Sequence, residues 1–146
     1  MSLKISIGND HAGPELKTAI VNMLTEQGYG VINFGTDTGE SVDYPDYAHR
    51  VMESLTSGET DLSILICGTG NGICMTANKW RGVRAALCWK AEIAILAKQH
   101  NDANVLCLPA RFITTEEALN IVEVFLETEF EGGRHQKRID KINFNI

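Results

Sequence analysis

Long apolar runs are missing from this chain of 146 residues, and none approaches the length that a helix needs to span a bilayer. Met1-Ser2-Leu3-Lys4 leads straight into a strand pattern with no sign of a signal peptide, so the expected compartment is the cytosol. Cationic charge is also scarce. With 13 Lys and Arg against 19 Asp and Glu, the formal net charge of -6 argues against nucleic acid or an anionic membrane as the main partner. The 4 cysteines contain no C-x-x-C pair and the 4 histidines are scattered, which argues against zinc; no metal is expected. Each cysteine lies in or beside an apolar run, so Cys67, Cys74, Cys88 and Cys107 read as reduced thiols rather than a disulfide framework. No repeat, low-complexity tract or linker divides the chain, and its length and 44% hydrophobic content fit one soluble domain over residues 1–146.

What is present is a regular alternation. Leu3–Ile7, Gly30–Phe34, Ser63–Cys67, Val83–Cys88 and Asn104–Leu108 read as short apolar strands. Between and after them lie helical patterns over Pro14–Gln27, Tyr47–Leu55, Gly72–Trp80, Ala91–His100 and Thr115–Leu126. Pro14 suits a first helical turn and Gly28 a helix end, while Thr114 and Glu117 have the spacing of a capping box. Strand and helix alternating in this way predict a three-layer α/β/α, Rossmann-like fold with a five-stranded parallel sheet. Ligands in such folds collect at the carboxyl ends of strands. Asn9-Asp10-His11, Cys67 to Gly72, and Arg111 all fall there.

The strongest chemical signal is Ile64-Leu65-Ile66-Cys67-Gly68-Thr69-Gly70-Asn71-Gly72. A thiol ends an apolar strand, and three alternating glycines let backbone N–H groups approach an anion. A helix start just beyond Cys67 favours its thiolate. A Walker loop would need Gly-Lys where Gly72-Ile73 stands, and a dinucleotide fingerprint would need glycine at Ile73, so nucleotide binding is disfavoured. A phosphatase loop would need arginine at Ile73, which removes that chemistry. Cys88 and Cys107 read as core thiols, and His49 as a packing or surface residue. His100 ends a helical segment in the polar cluster His100-Asn101-Asp102, where an acid or base could face a cleft. The segment Phe130 to Arg138 gathers cations in an acidic protein; if it is helical, Arg134 and Arg138 lie one turn apart, able to clamp one phosphate or simply to solvate a helix end.

Asp10-His11-Ala12-Gly13, Asp43-Tyr44-Pro45, Ile66 to Gly72 with Ala77-Asn78-Lys79, Gly82-Val83-Arg84-Ala85, His100 to Asn104, and Gly132-Gly133-Arg134-His135-Gln136 occur in order along nearly the whole chain. Together they resemble the type B ribose-5-phosphate isomerases, of the wider group that includes galactose-6-phosphate and allose-6-phosphate isomerases. The resemblance implies an aldose–ketose isomerase acting through an enediolate on a sugar phosphate, without cofactor. In the family's thiol branch the residue matching Cys67 is the base and that matching His100 opens the sugar ring. Another branch carries a glutamate at the position of Ile73, so this chain falls in the thiol branch.

The resemblance further implies that Gly68, Thr69, Gly70, Asn71 and Gly72 hold the enediolate, and that Asp10 and His11 contact substrate. Asn101 would bind a hydroxyl, and Arg111, Arg134 and Arg138 anionic oxygens. Homodimers or dimers of dimers with shared sites are implied as well, the basic segment 130–146 reaching a neighbour's pocket. Cys88-Trp89-Lys90-Ala91-Glu92 and Leu108-Pro109-Ala110-Arg111 depart from the family pattern near the expected pocket. Ribose 5-phosphate is therefore the first expectation; allose 6-phosphate, galactose 6-phosphate or a tetrose phosphate is the alternative. A silent sugar-phosphate-binding subunit is a third reading, which Cys67, Thr69 and His100 oppose.

Overall fold

The computed structural model describes residues 3–143, the last residues of the basic segment lying outside them. Five strands run β1 (Lys4–Asn9), β2 (Gly30–Asn33), β3 (Leu62–Cys67), β4 (Ala85–Leu87) and β5 (Val105–Pro109). Six helices alternate with and follow them: α1 (Pro14–Glu26), α2 (Tyr44–Thr56), α3 (Asn71–Ala77), α4 (Ala91–Asn101), α5 (Thr115–Glu127) and α6 (Arg134–Asp140). Every strand pairing is parallel and the order is β2-β1-β3-β5-β4. The predicted three-layer α/β fold is thus the observed one. Among the described residues no helix is long and apolar enough to cross a membrane.

Because side chains alternate across a strand, the central strands divide their apolar residues between two cores. Ile5, Ile7, Ile64, Ile66, Leu106 and Leu108 face α1, α4 and α5, where Leu16, Ile20, Leu24, Ile121 and Phe125 close one layer. Leu65, Cys67, Val105 and Cys107 face α2 and α3, against Val51, Met52, Ile73 and Ala77. That strands buried on both sides read as continuous apolar runs is the expected consequence. Phe125 is fully buried, and its removal to alanine would cost roughly 3–5 kcal/mol.

The buried serine hydroxyls of β1 and β3 are paired. Ser6 Oγ lies 2.7 Å from Ser63 Oγ and 3.0 Å from Thr60 Oγ1. Where α2 crosses β1 the helix comes so close that a Cβ at Gly8 would lie 2.6 Å from Val51 Cγ2. Only glycine permits that approach.

Most boundaries lie within three residues of the sequence expectation, and two of the differences have a plain local cause. α2 begins at Tyr44, three residues before the expected start, because Pro45 occupies its first turn, where a missing N–H is harmless. β4 is only Ala85–Leu87 rather than Val83–Cys88. The amide of Val83 turns back to Trp80 O, and that of Arg84 donates to Asn104 Oδ1 at 2.8 Å, so neither is available to a sheet partner. The capping box of α5 is present, with Glu117 N donating to Thr114 Oγ1 and Thr114 N to Glu117 Oε1.

Candidate active site

At the centre of the sheet β1 is followed in space by β3 but connects in sequence to β2, so the carboxyl ends of β1 and β3 flank the switch point where such sheets bind ligands. Cys67 is the last residue of β3 and is 4% exposed. Beyond it Gly68 and Thr69 lead to Gly70, whose φ of 77° turns the chain into α3. A side chain at Gly70 would run into Leu87 and come within 3.2 Å of the Leu108 carbonyl carbon. Thr69 Oγ1 accepts from the Asn71 amide at 3.2 Å, and the amides that follow begin the first turn of α3, which a helix leaves without internal partners.

The loop is locked to its neighbours from both sides. Cys67 O accepts from Ala110 N at 2.9 Å and Gly68 O from Arg111 N at 3.0 Å. Those bonds draw the Arg111 side chain across Gly68, where a Cβ would sit 3.1 Å from a guanidinium nitrogen. A cation therefore stands beside the first glycine after Cys67. On the other side Asp10 N donates to Ile66 O, and Asp10 Oδ1 accepts from Ala12 N at 2.9 Å. His11 Nδ1 accepts from Val42 N at 3.1 Å, which leaves Nε2 as the protonated nitrogen of the neutral ring. Val42 belongs to a segment anchored by the buried Lys17, whose ammonium donates to Thr36 O and pairs with Asp37. Asn9 Nδ2 reaches the same Thr36 carbonyl, while its buried Oδ1 has no partner among the described residues and packs against Gly35.

Tyr44 is a neighbour of the candidate site that sequence reasoning did not single out. Its ring occupies the space that a side chain at Gly72 would fill, which sets the hydroxyl beside the first turn of α3. The signal available was Asp43-Tyr44-Pro45, a helix start with an aromatic at its first position, facing a glycine that a helix disfavours.

The other thiols behave differently from one another. Burial pushes Cys88 up to about 12, with the neighbouring Cys74 adding to it. Cys107 is raised well above the ordinary thiol value, first by complete burial, and its hydrogen bond to Cys74 draws Cys74 below that value. All four cysteines are unpaired.

His100, Asn101, Arg134 and Arg138 are not beside Cys67. α4 runs back from the carboxyl to the amino end of the sheet, and Arg84, just before β4, donates from Nε to Asn101 O at 3.0 Å and from Nη2 to Asp102 O at 2.9 Å. Asn104 N donates to Arg84 O in the same place. Cys67 pairs with Pro109 at the far end of β5, four residues on from Val105, a separation of roughly 13 Å at 3.3 Å per strand residue. Glu131 N bonds Gln99 O, so the segment leading into α6 sits at the amino end too. Arg134 and Arg138 are exposed there, one helical turn apart.

The His100 ring stacks on the buried His135 with centroids 4.3 Å apart and planes 14° from parallel. Glu131 Oε1 lies 3.3 Å from His135 Nε2 and 4.0 Å from His100 Nε2. These three side chains have ligand atoms within 4.8 Å of one another. An imidazole lone pair lies in its ring plane, and planes this nearly parallel do not meet near a common ion, so the arrangement is a stacked pair beside a carboxylate rather than a metal cage.

A profile described as Ribose/Galactose Isomerase matches residues 5–142. The ribose-5-phosphate isomerase B of Escherichia coli strain K12 is 48% identical over 139 residues, 95% of this chain and 93% of that one. The crystal structure of a ribose 5-phosphate isomerase from Thermotoga maritima superposes with a TM-score of 0.95 at 51% identity, covering 98% of this chain and 99% of that one. The Mycoplasma genitalium ribose-5-phosphate isomerase B, solved with bound ribulose-5-phosphate, gives 0.93 at 49% identity over 97% and 95% of the two chains. This chain belongs to the ribose/galactose isomerase family.

Proposed function

We propose that this protein is an aldose–ketose isomerase that interconverts ribose 5-phosphate and ribulose 5-phosphate through an enediolate, with Cys67 as the base and no cofactor. The reading rests above all on a thiol set at the switch point beside a glycine-walled loop, in a chain 49% identical to a relative solved with ribulose-5-phosphate.

As a thiolate, Cys67 removes the proton at C2 of the open-chain aldose and returns it to C1, while a hydroxyl proton passes from O2 to O1. Negative charge develops on those two oxygens. The N–H groups of the Gly68–Gly72 turn and the Thr69 hydroxyl meet it, and donors already fixed in place need no reorganisation as the charge forms. Asp10 and His11 contact the substrate, His11 through Nε2–H, and Arg111 supplies a cation beside Gly68.

His100, Asn101, Arg134 and Arg138 come from a second copy of the chain. A single copy holds them roughly 13 Å or more from Cys67, judged by the strand rise, whereas the reaction needs groups within hydrogen-bond reach. The assembly is accordingly a homodimer or a dimer of dimers, with the basic segment reaching its neighbour's pocket. His100 of one copy opens the sugar ring held by the other, Asn101 binds a hydroxyl, and the two arginines clamp the phosphate. We place the enzyme in the cytoplasm on the strength of its four unpaired thiols.

A second reading keeps the mechanism and enlarges the sugar. A cavity of about 540 Å³ opens beside Thr69 and Asn71, walled by Phe112 and by Trp89, Lys90 and Pro109 of the two stretches that depart from the family pattern. It offers room for a phosphorylated hexose. The test is to assay purified protein on ribose 5-phosphate, with allose 6-phosphate, galactose 6-phosphate and tetrose phosphates in parallel. Fast conversion of the pentose supports the proposal. Conversion of another sugar alone moves the substrate, and no turnover of any sugar overturns catalysis in favour of a silent binding subunit.

A further inference from the structure

We infer that His135 and Glu131 are positioning residues for His100, fixing its ring plane during ring opening. The inference rests on the proposed role of His100 as the ring-opening group. His135 is 7% exposed and its ring lies flat against that of His100 at 4.3 Å, so the more exposed imidazole has a rigid platform on one face. The platform is itself held from two directions: the amide of Glu131 bonds Gln99 O in α4, and the His135 amide bonds Gly132 O. Glu131 Oε1 then lies within 4.0 Å of both Nε2 atoms.

Ring opening needs an imidazole nitrogen held on one line between the two oxygens that exchange a proton. His100 takes the proton from the O1 hydroxyl, the electron pair left on O1 forms the C1=O1 bond, the C1–O4 bond breaks with its electron pair going to O4, and His100 passes the proton to O4, so the histidine ends in the state in which it began. A free imidazole on a helix end would sample several rotamers, whereas the stacked one keeps its nitrogen aimed along one line.

The chemistry supplies a readout that a merely structural role would not move. Ribulose 5-phosphate is an open-chain ketose, and exchange of its C1 proton with solvent requires Cys67 and the enediolate loop but no ring opening. Isomerisation of ribose 5-phosphate requires both. With intact homo-oligomer in D₂O, His135→Ala is expected to slow aldose isomerisation by about tenfold or more while C1 exchange of the ketose stays within about threefold of wild type. Glu131→Gln should give the same split, and His135→Phe, which keeps a flat ring in place, should restore isomerisation to within about threefold.

If isomerisation by His135→Ala and Glu131→Gln matches wild type while His100→Ala is slow, the inference falls and the role of His100 stands. If His100→Ala is itself as fast as wild type, the reading beneath it falls. Equal loss of isomerisation and exchange, or a higher KM at unchanged kcat, would make His135 a structural or phosphate-contact residue and overturn the inference. Should His135→Ala fail to fold, Glu131→Gln, at an exposed side chain, decides the matter.

Discussion

Gly70 is where a perturbation can be worked out most fully from geometry. Its φ of 77° lies in the left-handed region, where a residue with a Cβ is disfavoured by roughly 1–2 kcal/mol. In Gly70→Ala the new methyl would also press on Leu87 and stand 3.2 and 3.3 Å from the carbonyl carbon and oxygen of Leu108, backbone atoms that cannot rotate aside. Overpacking of this kind adds a penalty of roughly 1–3 kcal/mol. The expected total of about 3 kcal/mol lowers Tm by about 6–12 °C in a domain of this size. Gly58 provides the control, with a φ of 84° and nothing within 4 Å of an added Cβ. Gly58→Ala should therefore lose only the backbone part, about 1–2 kcal/mol. Because Gly70 in the proposed mechanism also aims the enediolate donors, its variant should lose at least about tenfold in rate, while Gly58→Ala, at the far end of α2, keeps the wild-type rate. Scanning calorimetry and ketose formation on both variants measure the two effects. A Gly70→Ala protein that melts with Gly58→Ala and turns over normally would refute the reasoning.

Cys67→Ala should lower turnover by roughly 10²–10⁴-fold, the usual worth of a general base, with an unchanged circular dichroism spectrum and melting within a few degrees of wild type. Arg134→Ala should raise KM by about 10- to 150-fold, the equivalent of about 1.5–3 kcal/mol for a lost charge-assisted contact, with kcat less affected; steady-state kinetics separate the two. Glu117 has its carboxyl held below the ordinary value by the Thr114 amide and then by the Thr114 hydroxyl. A lowered acid contributes stability above its unfolded pKa and loses it as pH falls through the folded one, so the Tm difference between wild type and Glu117→Gln should be constant at neutral pH and vanish in acid.

Much of this molecule was legible because burial on both faces leaves a plain signature. Ile64-Leu65-Ile66-Cys67 and Val105-Leu106-Cys107-Leu108 read as strands for the same reason that they sit at the centre of the sheet. The capping box at Thr114 was legible because both its bonds are local. The strand order was not, since nothing within β4 or β5 records that β5 lies between β3 and β4. For the site, the groups around Cys67 were readable as strand-end features. The gap between Cys67 and His100 needed the direction of α4, whose 11 residues carry the chain about 16 Å back across the sheet. The stack of His100 on His135 joins two helices through a loop, and no periodicity encodes it.

The central claim is a thiol-base isomerase whose site is completed by a second copy, and subunit complementation tests it most directly. Cys67→Ala and His100→Ala chains, each inactive alone, would be co-expressed and the mixed oligomers assayed on ribose 5-phosphate. If Cys67 and His100 act from different copies, each mixed pair holds one intact site, and activity should return to roughly a quarter of wild type at equal expression. Mixed oligomers as inactive as the separate variants would contradict the shared site.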